Sequence, residues 1–417
     1  MVIGKGYKDR FLTEAETRGI LTEGLATLPV EGKRVLVIIP DSTRSGPIPM
    51  VFRILNDLLA RRVGALDYLI ALGTHRGMTP EEMSEHLDTP YDAATGTFDG
   101  AHVYNHDFMH DIKKVGTIPA ARIKELSGGL MEQDVDVTVN WRLFDYDQLI
   151  ICGPIFPHEV AGFSGGYKYF FPGVSGPDVT NFTHWLGAVI TNVKIIGTLR
   201  TPVREVIEEA CKYITVPTAA FCMVVRGHHD LAGLYCGDPI EAQAAAAHLS
   251  AQIHVVYVDH PYKTILSVMP ELYDDIWTAA KGMYKMEPVV ADGGTVIIYA
   301  PHIDEVSYTH GKVLDHIGYH VRDYFLKQMD QFADVPGGVM AHATHVKGAG
   351  TFENGAEKPR VNVVLATGVP KERCDRINLG YMDPNEIDVD EWMARRDPDL
   401  LVVPRAGEML YRLKSDK

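Results

Sequence analysis

Residues 34–44 read RVLVIIPDSTR. Arg34–Ile39 is a short apolar, β-branched run with no polar alternation, which is the character of a strand buried on both faces of a parallel sheet. Pro40-Asp41 closes it. Helical spacing follows over Met50–Arg62, where Val51, Ile54, Leu55, Leu58 and Leu59 share one face. A second strand, Asp67–Leu72 (DYLIAL), ends at Gly73-Thr74-His75-Arg76. Thr79-Pro80-Glu81-Glu82 then supplies a capping box with proline at the first helical position, so a helix starts there. Further strands are expected at Gln148–Cys152, Val193–Ile196, Ala220–Val225, Ile253–Val258, Thr295–Tyr299, Val361–Leu365 and Leu400–Val403. Strands alternating with helices predict an α/β protein with mostly parallel sheets. A weak boundary follows IHVVYV at Asp259-His260-Pro261, giving two α/β domains, 1–260 and 261–417, with an active-site cleft expected between them.

The chain has 417 residues, enough for two domains that each bury a core. With 40 Lys+Arg against 55 Asp+Glu its net charge is −15, which argues against nucleic acid as a partner, since that needs basic surface. The longest apolar runs are too short to cross a bilayer. The opening MVIGKGYKDRFLTEAE lacks an apolar h-region, so no signal peptide is expected. The five cysteines (152, 211, 222, 236, 374) are scattered and form no C-x-x-C, as in a reduced compartment. A soluble cytoplasmic protein is expected, without a membrane partner and with its oligomeric state left open.

Three polar clusters follow predicted strands, where open α/β sheets bind ligands. Asp41-Ser42-Thr43-Arg44 reads either as a capped helix start or as an anion site, with Arg44 offering a bidentate fork. Gly73-Thr74-His75-Arg76 reads as a surface turn or as the seat of an acid/base histidine. The segment Gly153–Gly187 has no clear period, and long irregular segments are usually functional. Within it, Pro157-His158-Glu159-Val160-Ala161-Gly162-Phe163-Ser164-Gly165-Gly166-Tyr167-Lys168 is neither a Walker A loop nor a dinucleotide fingerprint. It reads as a structural loop or as one that admits close backbone approach, with Lys168 a nucleophile or covalent attachment point. The histidines include no H-E-x-x-H, and His228-His229-Asp230 and His342-x-x-His345 are the most closely spaced pairs. A metal on one histidine would be weakly held unless a cofactor supplied the other ligands.

Asp41-x-Thr43-Arg44, Gly73-x-His75-Arg76 and Pro157-His158…Ala161-Gly162-Phe163-Ser164-Gly165-Gly166-x-Lys168…Pro172-Gly173, with His184 downstream, resemble the nickel-dependent lactate racemase family. The ordered match spans most of the N-terminal half; the C-terminal half resembles the family more loosely. The resemblance implies nickel in a nickel-pincer nucleotide (pyridinium-3-thioamide-5-thiocarboxylic acid mononucleotide) attached at Lys168, with His184 completing the metal's coordination. It implies His75 and His158 as alternating acid/base groups and Arg44 as the carboxylate grip. Asp41 would lie at the cofactor, and Ser42, Thr43, Ser164, Gly165 and Gly166 at its phosphate. Ala279-Ala280-Lys281 would bring a second cation to the substrate, so that Arg44, Arg76, Lys168 and Lys281 form a cationic pocket in an acidic body.

Two departures bear on the substrate. Thr278 stands where the lactate enzyme has glutamine, and Gly337–Lys347, containing His345, is polar and positively charged where that enzyme has a substrate-side tryptophan. Thr278 and His345 are therefore expected at a larger or more polar 2-hydroxy acid, a sugar acid or a malate-like compound. The expected activity is inversion at C2 by reversible hydride transfer through a 2-keto acid. The competing readings are a divalent-metal hydrolase or lyase, and a non-catalytic binder of anionic metabolites.

Overall fold

A computed structural model describes every residue except His228, which lies outside the described residues. The chain forms two compact units. The first comprises Met1–Phe156, Phe163–Thr180 and Leu199–Ile253; the second comprises Pro157–Gly162, Asn181–Thr198 and His254–Lys417. The last crossing falls at 253/254, and the units are not the two continuous stretches expected, since 157–162 and 181–198 also belong to the second. His158 and His184 belong to the second unit.

The first unit is built on β1 (Arg34–Pro40), β2 (Ala65–Ala71), β3 (Val103–Asn105), β4 (Gln148–Pro154) and β5 (Thr218–Arg226), all parallel and ordered 3-2-1-4-5. Asp230–Gly237 and Ile3–Gly6 extend the β5 edge, each antiparallel to its inner neighbour. In this doubly wound order the topology reverses between β1 and β4, where a crevice opens at the carboxyl ends of the strands. Asp41 follows β1 at that point, and Ile155 follows β4. The helix Ile48–Leu59 packs on this sheet through Ile48, Val51, Phe52, Ile54, Leu55 and Leu59, all buried. Each such side chain stabilises the fold by about 1.5–3 kcal/mol, and Leu55→Ala would cost about 2–5 kcal/mol. The capping box at Thr79 forms as expected: Thr79 Oγ1 accepts from Glu82 N at 3.2 Å and Glu82 Oε2 accepts from Thr79 N at 2.8 Å.

The second unit holds an all-parallel sheet of β6 (Tyr262–Val268), β7 (Val290–Ala300), β8 (Asn362–Thr367), β9 (Gly380–Tyr381) and β10 (Leu400–Val403), ordered 9-8-7-6-10. Leu266, Ile297, Ala366 and Ile387 centre a core cluster of this unit. The short strand Val255–Val258 pairs instead with Leu410–Leu413.

The strand expected at Val193–Ile196 is a helical turn, Asn192–Ile195. Asn192 Nδ2 is anchored to Tyr284 O at 2.7 Å and Glu287 Oε2 at 2.8 Å, long-range bonds that override the β-branched run. The segment 153–187 is also less irregular than its composition suggests, because Pro177–Ile190 is a helix and carries His184.

Candidate active site

Asp41 is buried at the end of β1. Its Oδ1 accepts from Thr43 N at 3.2 Å and from Thr43 Oγ1 at 2.7 Å, a side-chain turn. The segment 41–44 is therefore no helix start: the next helix begins at Ile48, behind Pro47. Asp41 Oδ2 lies 2.6 Å from His75 Nδ1, and Arg44 donates to Thr43 Oγ1 at 3.3 Å. Burial pushes the Asp41 carboxyl up. The facing His75, with Arg44 and Thr43, more than reverses this and holds it well below the usual carboxylate range. An ionised carboxylate only accepts, so His75 presents Nδ1–H to it and, when its ring is neutral, a lone pair on Nε2. That is the arrangement of a base oriented by a carboxylate. The backbone supports it: Gly73 takes φ +58°, His75 N bonds Leu72 O at 3.0 Å, and Gly73 N bonds Gly173 O at 2.9 Å.

His158 has the opposite pattern. Its Nδ1 accepts from Val160 N at 3.1 Å, which assigns the proton of the neutral ring to Nε2. Glu159 Oε2 stands 3.4 Å from the same Nδ1.

The glycine-rich loop that leads to Lys168 is fastened from beneath. Arg204, buried on the helix Pro202–Cys211, donates to Phe163 O and, at 3.4 Å, to Gly165 O. Burial lowers this guanidinium to about 10. Ser164 Oγ donates to Pro154 O at 3.0 Å and accepts from Phe156 N at 2.8 Å, while Ser164 N bonds Phe156 O at 2.8 Å. The Gly166 amide meets the Cys222 sulfur. Gly165 has φ +74°, and a Cβ there would overlap Ile155 Cδ1. Lys168 stands half-buried on a short turn, its N bonded to Gly165 O and its O to Gly173 N, both at 3.2 Å. The adjacent Tyr169 lies in the field of Arg44 and Asp41.

These contacts sort the expected phosphate ligands. Ser164 and Thr43 donate both O–H and N–H within the protein, and the Gly166 amide faces sulfur, whereas Ser42 is exposed. Arg76, expected in the cationic pocket, is exposed and bonded to Glu82 at 3.0 and 2.6 Å.

In the second unit, Asp275 caps the helical turn that bears Thr278, with Lys281 in the next turn. Thr278 Oγ1 donates to Asp275 at 2.9–3.0 Å, so its hydroxyl serves the cap. Lys281 Nζ sits 4.0 Å over the Tyr273 ring, a cation–π contact. Trp277 stacks on His342 at 4.1 Å and lies 4.6 Å from His310, and Tyr319 OH is 3.3 Å from His342 Nε2. His342 also feels the fields of His345, His310 and His184, which places the four imidazoles in one neighbourhood. His345 lies buried against Tyr284, and its Nε2 meets no partner among the described residues. Burial lowers His345 to about 4 and His342 well below the usual range. The stretch Gly337–Lys347 is a helix whose two histidines are neutral, not the positively charged surface expected.

The structure thus gathers Asp41, Thr43, Arg44 and His75 in the first unit, and Trp277, His184, His310 and His342 in the second. Arg204 and Trp277 are additions. An arginine in register with Ile207 and Cys211 on a buried helix face, and an indole one turn before Lys281, were the signals for them.

Among the described residues, no three His, Cys, Asp or Glu side chains form a group that could hold a metal. A metal here would need most of its donors from a bound cofactor. Lys168 in the first unit and His184 in the second are each half-buried.

A doubly wound sheet with a carboxylate–imidazole pair beside its switch point, followed by a lysine-bearing glycine loop, defines an α/β protein whose polar groups gather at the edge where such sheets bind ligands. The chain is similar to the lactate racemases. The lactate racemase N-terminal domain matches residues 8–195. The lactate racemase of Thermoanaerobacterium thermosaccharolyticum is 27% identical over 296 residues, 68% of this chain and 63% of that protein. That of Lactiplantibacillus plantarum is 27% identical over 281 residues, 64% of this chain and 60% of that protein. The chain therefore spans less than two thirds of either relative. A crystal structure of a Thermotoga maritima protein superposes with TM-score 0.89 at 34% identity, over 98% of this chain and 100% of that one. The lactate racemase apoprotein from T. thermosaccharolyticum shares the fold, with TM-score 0.72 at 19% identity, over 99% and 100% of the two chains. No helix among the described residues is long and apolar enough to cross a membrane.

Proposed function

We propose that the chain is a racemase or epimerase that inverts C2 of a small 2-hydroxy acid, in the cytoplasm and without nucleic-acid or membrane partners. The observation that carries this reading is the opposite bonding of two histidines: His75 Nδ1 faces the Asp41 carboxylate, whereas His158 Nδ1 accepts from Val160 N, so that with neutral rings one Nε2 can take a proton and the other can give one. Inversion needs one group to take the hydroxyl proton and another to return it on the opposite face.

A C–H beside a carboxylate is a very weak acid. Removing that hydrogen with its electron pair is the easier route, and it leaves a planar 2-keto acid. When bound, the nickel-pincer nucleotide supplies a reversible acceptor for the hydrogen and its electron pair. Lys168 would tether it and His184 would complete the metal's ligands. Arg44 and Lys281 clamp the carboxylate, so that the reacting carbon pivots about a fixed anion. His75 Nε2 takes the hydroxyl proton as the carbonyl forms, with Asp41 stabilising the imidazolium. After the carbonyl turns, His158 Nε2–H returns a proton to oxygen. The substrate's side chain is proposed to be larger or more polar than the methyl of lactate.

The test uses the chain produced with the cofactor-making proteins and a 2-hydroxy acid deuterated at C2. Retention of deuterium through inversion is expected; exchange into water would sink hydride storage. Intact mass should show a nucleotide-sized adduct with nickel that is lost in Lys168→Ala. Zinc or manganese without an adduct would favour a conventional metal hydrolase instead.

A further inference from the structure

Trp277 and Lys281 stand four residues apart on consecutive helical turns, both half-buried, so they share one face. The reading above uses Lys281 for the substrate's carboxylate, which leaves the role of Trp277 open. The indole does not stand alone. His342 stacks on it at 4.1 Å with an interplanar angle of 24°, and His310 packs at 4.6 Å and 41°. Tyr319 OH backs His342 at 3.3 Å, and His184 lies within the electrostatic reach of the same ring. The result is a wall of rings beside the residue proposed to meet nickel. Its position is fixed, because Trp277 N bonds Val306 O at 3.0 Å and Ile276 N bonds Glu305 O at 3.1 Å.

The surroundings of this wall are acidic. Asp274 and Asp304 are exposed, and together with Asp275 and Glu305 they surround the exposed ring of Tyr308. Arg373, the cation on this rim, is held by Glu305 at 2.7 Å and Asp315 at 2.9 Å. A second carboxylate on the substrate would meet these acids beyond the reach of the Lys281 clamp. Ring faces and edges instead favour C–H surfaces, aromatic rings and hydroxyl groups.

We propose that Trp277 is a specificity-determining residue, and that the substrate is a monocarboxylic 2-hydroxy acid whose side chain is uncharged, larger than methyl, and packed against the Trp277–His310–His342 wall. This rests on the racemase reading and narrows it: of the two substrate classes named from the sequence, it admits the sugar-acid type, along with other uncharged side chains, and rejects the malate-like one.

The test measures C2 inversion by the cofactor-loaded chain on gluconate and 3-phenyllactate (large, uncharged), lactate (methyl) and malate (second carboxylate). At least one of the first pair should exceed both lactate and malate in kcat/KM by about tenfold or more. Trp277→Ala should remove about tenfold from the large uncharged substrate while changing lactate by less than about threefold, with Trp277→Phe between. A preference for malate or lactate overturns the proposal, as does an equal loss on every substrate. If Trp277→Ala does not fold, Trp277→Phe and His310→Ala read the same ratio. Failure of the racemase reading looks different: no 2-hydroxy acid is inverted at all. Calorimetric binding of the same four acids to the cofactor-free chain then decides. Tighter binding of a large uncharged acid, lost in Trp277→Ala, sustains the wall's selectivity, and equal binding of all four refutes it.

Discussion

Two buried aspartates follow the first strand of each parallel sheet, Asp41 behind β1 and Asp275 behind β6, and their carboxyl groups are pushed in opposite directions. Burial raises both. At Asp41, His75, Arg44 and Thr43 overcome it and the carboxyl falls. At Asp275 the hydrogen bonds from Thr278 and Tyr308 are too weak to do so, and the neighbouring Asp274 adds to the rise. The first arrangement keeps a charge in place to control a titratable ring. The second caps a helical turn and holds a loop amide. Similar positions in similar sheets thus serve chemistry in one unit and architecture in the other, and what separates them is the cation set facing each carboxylate.

The comparison breaks most visibly at Asp41. Asp41→Asn keeps the shape but removes the charge that fixes the His75 tautomer, so kcat should fall about 10²–10⁴-fold with little change in KM. Steady-state kinetics of loaded enzyme check this. A fall confined to KM would show that Asp41 binds substrate rather than orienting a base. The glycine loop comes next. Gly165→Ala places a Cβ on Ile155 Cδ1 at φ +74°, and should cost about 3 kcal/mol in urea unfolding. An unchanged midpoint would mean that the loop is not held as described.

Acid acts on the second unit through two buried histidines. His342 and His345 are buried neutral, with His345 lowered to about 4. The unfolded chain binds protons at these rings first, near the ordinary histidine value of about 6.5. Stability is therefore full above that pH and is lost as pH falls toward 4, by up to about 1.4 kcal/mol per pH unit for each ring. The Asp41 contribution has its own window: it is present above the ordinary aspartate value of about 3.9 and is lost only below it. Urea midpoints at pH 7, 6 and 5 should fall in that order, and His345→Leu should flatten the slope. An unaltered slope in that variant would place the proton uptake elsewhere; His86 and His106 in the first unit, also lowered by burial, are the next to replace.

How far the sequence revealed this depends on the range of each interaction. β1 was legible because RVLVII is an unbroken apolar run ended by Pro-Asp. β6 was not, since Lys263, Thr264 and Ser267 interrupt YKTILSV, and Ser267 is buried only because its hydroxyl reaches Gly282 O at 2.7 Å. The run at 193–196 was misread because Asn192 takes its partners from residues 284 and 287. At the site, the residue types and their order were legible, but the destinations of their protons were not. Whether Ser164 donates to a phosphate or to Pro154 O, and whether His342 and His345 are charged, depends on neighbours far away in the chain.

The smallest effect tests the aspartate comparison from its other side. Asp275→Asn keeps an oxygen to accept from Thr278 N, now 2.9 Å away, gives up the long 3.4 Å bond that Oδ2 accepts from Tyr308 N, and removes a charge that burial disfavours. A carboxyl raised in the folded state contributes least once pH has risen through its folded value, so the amide should gain stability at pH 7–8, by less than about 1 kcal/mol. The gain should shrink as pH falls into the range where the wild-type carboxyl is protonated. Asp41→Asn should do the reverse at neutral pH, because its charge is the paired one. If both variants lose stability alike at pH 7, charge pairing is not what separates the two sites, and the Asp275 carboxylate must meet a cation through contacts other than those from Thr278 and Tyr308.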